Sequence, residues 1–77
     1  MLTIEAIDPA LRKQLKEQRL RALQAQYFEF YMQKVALEAN GKTVEAQRVI
    51  EKMEQTNLSY IAVGEIPTGE EQVTTQA

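Results

Sequence analysis

The chain has 77 residues, of which nine are basic and eleven acidic, giving a formal net charge of −2. A single domain of this length buries only about 60% of the surface that its unfolded chain exposes, so its core must be small. Without cysteine or histidine the chain lacks disulfides, the usual ligands of a zinc site and a catalytic imidazole. No acidic loop of the EF-hand type occurs, and we expect no metal and no cofactor.

No part of the sequence predicts a membrane segment or a secretory signal. The most apolar run, residues 27–32, is interrupted by Glu29 and followed by Gln33 and Lys34, whereas a spanning helix needs roughly 20 apolar residues. The first residues include acidic side chains and lack the apolar core of a signal peptide. We therefore expect a cytoplasmic or otherwise intracellular protein, with a virion component as a compatible case and no membrane partner.

The first predicted helix begins at Asp8 and Pro9. An Asp side chain can accept hydrogen bonds from the free N–H groups of the first turn, and Pro at the first helical position loses no hydrogen bond. A run of good helix formers then continues without a break as far as Asn40 and Gly41. This pattern predicts a helix from about residue 9 to about residue 40, roughly 48 Å long.

A short turn and a second helix follow. Gly41 can adopt the left-handed conformation that ends a helix, and Thr43 can cap the next one. So short a connection makes the two helices antiparallel neighbours. The second helix should end near Val63, with Gly64 as its stop, and the remainder is rich in Glu with Pro67 and one more glycine.

The predicted fold is all-α: an antiparallel hairpin of one long and one shorter helix, assembling into a multi-helix bundle. The hairpin occupies residues 9–63. Residues 1–8 form an N-terminal arm, either extended or a short strand, and residues 64–77 form an acidic tail that is flexible or docked on a partner. Both arms are expected to reach neighbouring subunits.

The long helix carries a stripe at alternating spacings of three and four residues, the a/d pattern of a helix–helix seam. An antiparallel second helix covers this stripe, bringing Phe30 near Met53 and Leu23 near Tyr60. The stripe of the second helix is completed by Ala46, Ile50, Asn57 and Ile61. The predicted hairpin seam consists of Leu20, Leu23, Tyr27, Phe30, Leu37, Val49, Met53 and Tyr60.

A second apolar stripe lies about 100° around the same helix, and the shorter helix is too narrow to cover both. This aromatic stripe consists of Phe28, Tyr31, Met32 and Val35. One interpretation is that these side chains widen a single core, with the tyrosine hydroxyls reaching solvent. The interpretation that we favour is an obligate contact with another chain, because exposed apolar patches of several hundred Å² are rare in monomers.

The beginning of the long helix carries a basic patch on the face that is apolar further along. The patch consists of Arg12, Lys13, Lys16 and Arg19. Three interpretations compete: an ordinary solvated surface, a docking site for the acidic tail of the same or a neighbouring subunit, and a surface for nucleic-acid phosphates. The acidic composition and the absence of a recognised nucleic-acid-binding motif count against the third.

The sequence offers little for catalysis. The hydroxyl candidates, such as Ser59 and Tyr60, have no histidine to activate them, and the glutamates fall mostly on predicted wet faces. Lys34 stands at a seam position, where a register-setting lysine with its stem buried and its ammonium near solvent or Glu38 is the ordinary explanation. Asn57 has the same interpretation, and we expect no enzymatic activity.

These features together favour a non-enzymatic protein–protein interaction module, a small structural, adaptor or assembly subunit of a larger complex. Its expected partners are a second copy of itself, a larger protein assembly, or both. Short, cysteine-free helical chains with arms at both ends suit phage or virus particle components and their assembly factors. Two alternatives stay open: a nucleic-acid-associated regulator that uses the basic patch, and a small protein inhibitor of another enzyme that binds through the aromatic stripe.

Overall fold

Two long helices make up most of the chain in a computed structural model, which describes residues 2–69. A single 3₁₀ turn, Ile4–Ala6, precedes helix α1, Pro9–Ala39, and helix α2, Thr43–Gly64, follows after a tight turn. The two helices pack against each other in antiparallel orientation, and no strand occurs within residues 2–69. The predicted all-α helical hairpin is confirmed.

The start of α1 has the capping hydrogen bond and the proline position that the sequence predicted. The backbone N–H of Ala10 donates a 2.9 Å hydrogen bond to the Asp8 carboxylate, and Pro9 takes the first helical position. The free N–H groups of a helix start need such an acceptor, because no carbonyl precedes them within the helix. The beginning of the long helix is therefore determined by two adjacent residues.

The turn between the helices forms around Gly41, whose φ of 72° lies in the left-handed region. Its N–H bonds to the Glu38 carbonyl at 3.1 Å, and the Lys42 N–H bonds to the Leu37 carbonyl at 2.9 Å. This pair of bonds is the Schellman motif, which satisfies the last carbonyls of a helix. The helix-ending role predicted for Gly41 is confirmed.

Thr43 does not cap α2, contrary to the prediction. The flanking position belongs to Lys42, which makes no side-chain capping bond, and Thr43 is already the first helical residue. The reason is that the Schellman motif extends to Lys42, so the second helix begins directly after it. At the other end, α2 runs through Gly64, one residue past the predicted end, and Gly64 keeps an ordinary negative φ.

The N-terminal arm contains a 3₁₀ turn and not a strand. Two backbone hydrogen bonds of 3.1 Å, from Ala6 to Thr3 and from Ile7 to Ile4, close the turn. The flanking residues Thr3 and Ile7 are extended. No strand is present within residues 2–69 that could form β-ladder hydrogen bonds with this arm, although the sequence of the arm alternates apolar and polar residues.

The core is thin. Among the described residues, the buried apolar side chains are Leu23, Ala46, Val49 and Met53. The molecule measures 52 × 34 × 14 Å along its principal axes, and the shortest dimension is close to the diameter of one helix with its side chains. Globular domains normally bury their core between at least two layers. Both broad faces of this hairpin therefore lack a second layer.

Candidate protein-interaction surface

The hairpin seam brings together most of the residues predicted for it. Leu23, Val49 and Met53 are buried between the helices, and the other members on both helices are half-buried, with one exception. The half-buried members are Leu20, Phe30, Leu37 and Tyr60. The exception is Tyr27, whose side chain remains 42% exposed and lines a groove between the two helices.

Thr56 occupies a seam position for which the sequence pattern favoured Asn57. Thr56 is 7% exposed, whereas Asn57 is exposed. The hydroxyl of Thr56 donates a 2.9 Å hydrogen bond to the carbonyl of Lys52 one turn earlier. Burial of the hydroxyl is tolerated because that bond satisfies it. The spacing of Met53, Thr56 and Tyr60, three and then four residues, was the signal that identifies Thr56.

The aromatic stripe is uncovered in the single chain. Phe28 is 58% exposed, and Tyr31, Met32 and Val35 are 44–45% exposed. The rings of Phe28 and Tyr31 stack with their centroids 6.1 Å apart and their planes 19° apart. One turn of α1 thus presents a continuous aromatic surface, held in a defined orientation, on the side that α2 does not cover.

Lys34 links the hairpin seam to the aromatic stripe. Its ammonium lies 3.4 Å from the Glu38 carboxylate and 5.7 Å from the centroid of the Tyr31 ring. The prediction that the ammonium of Lys34 extends to Glu38 is confirmed. Because a cation over an aromatic face is attracted to it, Lys34 also restrains the orientation of Tyr31.

A groove between the two helices opens beside the aromatic stripe. Its volume is 330 Å³, and its lining residues are Leu23, Gln24, Tyr27, Thr56, Asn57 and Tyr60. The side-chain amide of Gln24 donates a 3.0 Å hydrogen bond to the Tyr60 hydroxyl across the groove. Gln24 lies one turn before Phe28 on the same face of α1, so the groove and the stripe form one surface.

The basic patch is partly covered by the chain itself. After α2, the C-terminal segment, residues 65–69, returns across the start of α1, and the Lys16 ammonium donates a 2.8 Å hydrogen bond to the Ile66 carbonyl. Thr68 is only 1% exposed. Gly69, with a φ of 99°, lies close to Arg12: a Cβ added at Gly69 would stand 3.4 Å from Arg12 Nη2. Arg12 and Lys16 are half-buried as a result.

Residues of both arms line a second groove at this end of the molecule. A groove of 230 Å³ is lined by Ile4 and Ile7 of the N-terminal arm, by Ile66, Pro67 and Thr68 of the C-terminal segment, and by Arg12, Leu15 and Lys16 of α1. Within the described residues both arms thus pack on their own hairpin. Lys13 and Arg19 remain exposed on α1, and the glutamates at positions 70 and 71, part of the predicted acidic tail, lie outside the described residues.

Comparisons with known proteins find no relative: no family model matches the chain, and no curated protein or solved structure is significantly similar to it. Neither described helix is long and apolar enough to cross a membrane. Within residues 2–69 no group of three or more acidic side chains is placed to hold a metal ion.

Proposed function

We propose that this protein is a non-enzymatic protein–protein interaction module, a small structural, adaptor or assembly subunit, and that the aromatic stripe is its contact surface. The observation that carries the proposal is the exposure of four neighbouring large apolar side chains, led by Phe28 at 58%. They lie beside a groove that adds Tyr27 and Tyr60. Aromatic residues clustered on a rigid helix are characteristic of interaction hot spots.

The energetics support the same function. The single hairpin has four buried apolar side chains among its described residues, which is a small core for two helices of this length. Covering one Phe or one Tyr side chain completely contributes on the order of 2–3 kcal/mol, and small proteins are stable by only about 5–15 kcal/mol. A partner on the stripe would therefore supply a large share of the stability.

The stripe is also organised for binding before a partner arrives. Phe28 and Tyr31 are stacked, and Lys34 lies over the Tyr31 ring. Side chains that are already held in one orientation lose less conformational entropy on association. The opposite side of α1, represented by Gln26, Glu29 and Gln33, is polar and exposed and offers no comparable surface.

Site-specific photo-crosslinking in cells of the organism that encodes the protein tests this proposal. The photoreactive amino acid p-benzoyl-L-phenylalanine replaces Tyr31 in the test variant and Gln26 in the control variant. Both residues are exposed on α1, but only Tyr31 belongs to the stripe. We expect a discrete covalent adduct from position 31 and none from position 26.

The mass of the adduct identifies the class of partner. An adduct of twice the 8.8 kDa chain mass indicates a second copy, and a larger adduct indicates another protein. Either result supports an interaction function for the stripe. The absence of any adduct at position 31, or equal labelling from positions 31 and 26, would overturn the proposal.

A further inference from the structure

The exposed side of α1 contains a second heptad pattern that is longer than the aromatic stripe. Positions on it are spaced by three and four residues in strict alternation, as in a coiled-coil seam. We call this the outer seam. It consists of Arg21, Gln24, Phe28, Tyr31, Val35 and Glu38. All six side chains are exposed in the single chain.

The charges on the outer seam are arranged with opposite signs at its two ends. Arg21 and Glu38 are equidistant from the point midway between residues 29 and 30, and so are Gln24 and Val35, and Phe28 and Tyr31. If two α1 helices pack antiparallel with that point at the centre, the two equidistant residues of each set face each other across the helices. Arg21 then lies opposite Glu38, and the two aromatic rings meet at the centre.

We propose that the partner of the outer seam is a second copy of this chain, with the two α1 helices antiparallel and related by a two-fold axis that passes between residues 29 and 30. This inference rests on the proposed function of the aromatic stripe and names its occupant. In such a symmetric contact the same surface of both chains is used, so each attractive pair occurs twice.

A parallel arrangement fits the charges poorly. In a parallel pair in register, Arg21 faces Arg21 and Glu38 faces Glu38, and like charges directly opposite each other are repulsive. Within residues 2–69 the Arg21 side chain makes no hydrogen bond or ion pair, so its charge can pair across an interface. Glu38 is 47% exposed at its side chain, and its contact with Lys34 is a 3.4 Å pair on one helix turn.

The register of the antiparallel pair follows from the same residues. Moving the centre by one layer toward the N-terminus places Val35 opposite Glu17, and moving it one layer toward the C-terminus places Phe28 opposite Glu38. Each shift sets a carboxylate against an apolar side chain, which costs the desolvation of a charge without a partner.

Charge exchange at the ends of the outer seam tests the proposal, measured by sedimentation equilibrium of the full-length chain. Arg21→Glu creates two contacts between negative side chains in each dimer. Glu38→Arg creates two contacts between positive side chains. We expect each variant to raise the dimer dissociation constant about tenfold, since exposed pairs contribute up to about 1 kcal/mol each. The double variant R21E/E38R restores opposite charges and should return the constant to within about threefold of the wild type.

Arg19→Glu is the matched control, because it makes the same charge change at an exposed position on a different face of α1. We expect its dissociation constant to stay within about twofold of the wild type. A double variant that is weaker than both single variants, an Arg21→Glu variant that associates normally, or a monomeric wild type would overturn the antiparallel dimer. None of these results affects an adduct from position 31 with another protein, so the two proposals can fail separately.

An electron-paramagnetic-resonance distance measurement gives an independent readout that does not depend on altered charges. The chain has no cysteine, so Gln18→Cys introduces a single spin label at an exposed position. In the antiparallel dimer the two labels are about 35 Å apart along the helix axis, from a rise of 1.5 Å per residue. A parallel dimer keeps them side by side, and an inter-label distance of about 20 Å or less would contradict the proposal.

Discussion

At the scale of single residues, the two glycines that end the helices have opposite conformational requirements. Gly41 has a φ of 72°, and the Schellman motif depends on that conformation. Gly64 is helical, and an added Cβ at either position meets no atom within 4 Å. Contacts of an added Cβ with the rest of the fold are therefore the same at the two sites, and only the local backbone conformation distinguishes them.

This difference predicts opposite effects of the same substitution. Gly41→Ala should destabilise the fold by about 1–2 kcal/mol, because a left-handed conformation is costly for an L-residue with a side chain. Gly64→Ala should stabilise it by about 0.5 kcal/mol, because alanine loses less entropy than glycine in a helix. Urea unfolding followed by circular dichroism at one fixed protein concentration measures both. A change of the same sign in the two variants would contradict the assigned conformations.

Residue-level prediction from the sequence succeeded at most positions where one local rule decides, with the cap expected from Thr43 as the exception, and failed where packing decides. Asp8, Pro9 and Gly41 act through bonds to residues within a few positions, so their roles could be predicted. That Thr56 and not Asn57 occupies the buried seam position was harder to predict, because the two positions lie only 100° apart around the helix. The hydrogen bond from Thr56 to Lys52 that permits burial is visible only in the structure.

At the scale of elements, the C-terminal segment and the start of α1 stabilise each other. Lys16 bonds to the Ile66 carbonyl, and Thr68 is almost fully buried against the same region. The segment therefore occupies part of the basic patch. A nucleic-acid phosphate that approaches Arg12 or Lys16 would compete with residues 66–69 for these side chains.

The contact makes a testable prediction about local order. Lys16→Met keeps an unbranched stem but removes the donor to the Ile66 carbonyl, so we expect the backbone of residues 66–69 to become more mobile. The ¹⁵N order parameters of Thr68 and Gly69 should fall from near 0.85, typical of ordered backbone, to below about 0.6. The helices themselves should keep their order parameters.

Arg19→Met is the control for this experiment. Arg19 belongs to the basic patch and is exposed, and the C-terminal segment does not need it as a donor. The order parameters of residues 66–69 should be unchanged in this variant. If Lys16→Met and Arg19→Met leave the segment equally ordered, the bond to Ile66 does not hold it.

The arrangement of the elements could be predicted further than the arms. Strong helix formers and a turn of three residues specify an antiparallel hairpin, because short connections leave no other choice. The arms carry too few residues for a periodic pattern, and the place where they pack depends on contacts between positions 50 or more residues apart. The 3₁₀ turn at Ile4–Ala6 and the contacts of Ile66 and Thr68 with α1 are findings of the structure.

At the scale of the whole molecule, the hairpin is one layer thick, with a shortest dimension of 14 Å. Its two broad faces differ: the aromatic stripe and the groove lie on one, and polar residues such as Gln26 and Gln33 lie on the other. A second layer on the aromatic face would produce a four-helix bundle with the usual two-layer core. In such a bundle one chain is half of a folding unit.

The concentration dependence of thermal unfolding tests this central claim most directly. If a second chain covers the stripe, folding and association are linked, and the unfolding midpoint rises with protein concentration. Over a hundredfold range we expect a rise on the order of 5–10 °C, abolished in the variant with Phe28→Ser and Tyr31→Ser and retained with Gln26→Ser and Gln33→Ser. A midpoint that stays constant across the range, with full helicity, would show that one hairpin is stable with its aromatic stripe in water and would contradict the account.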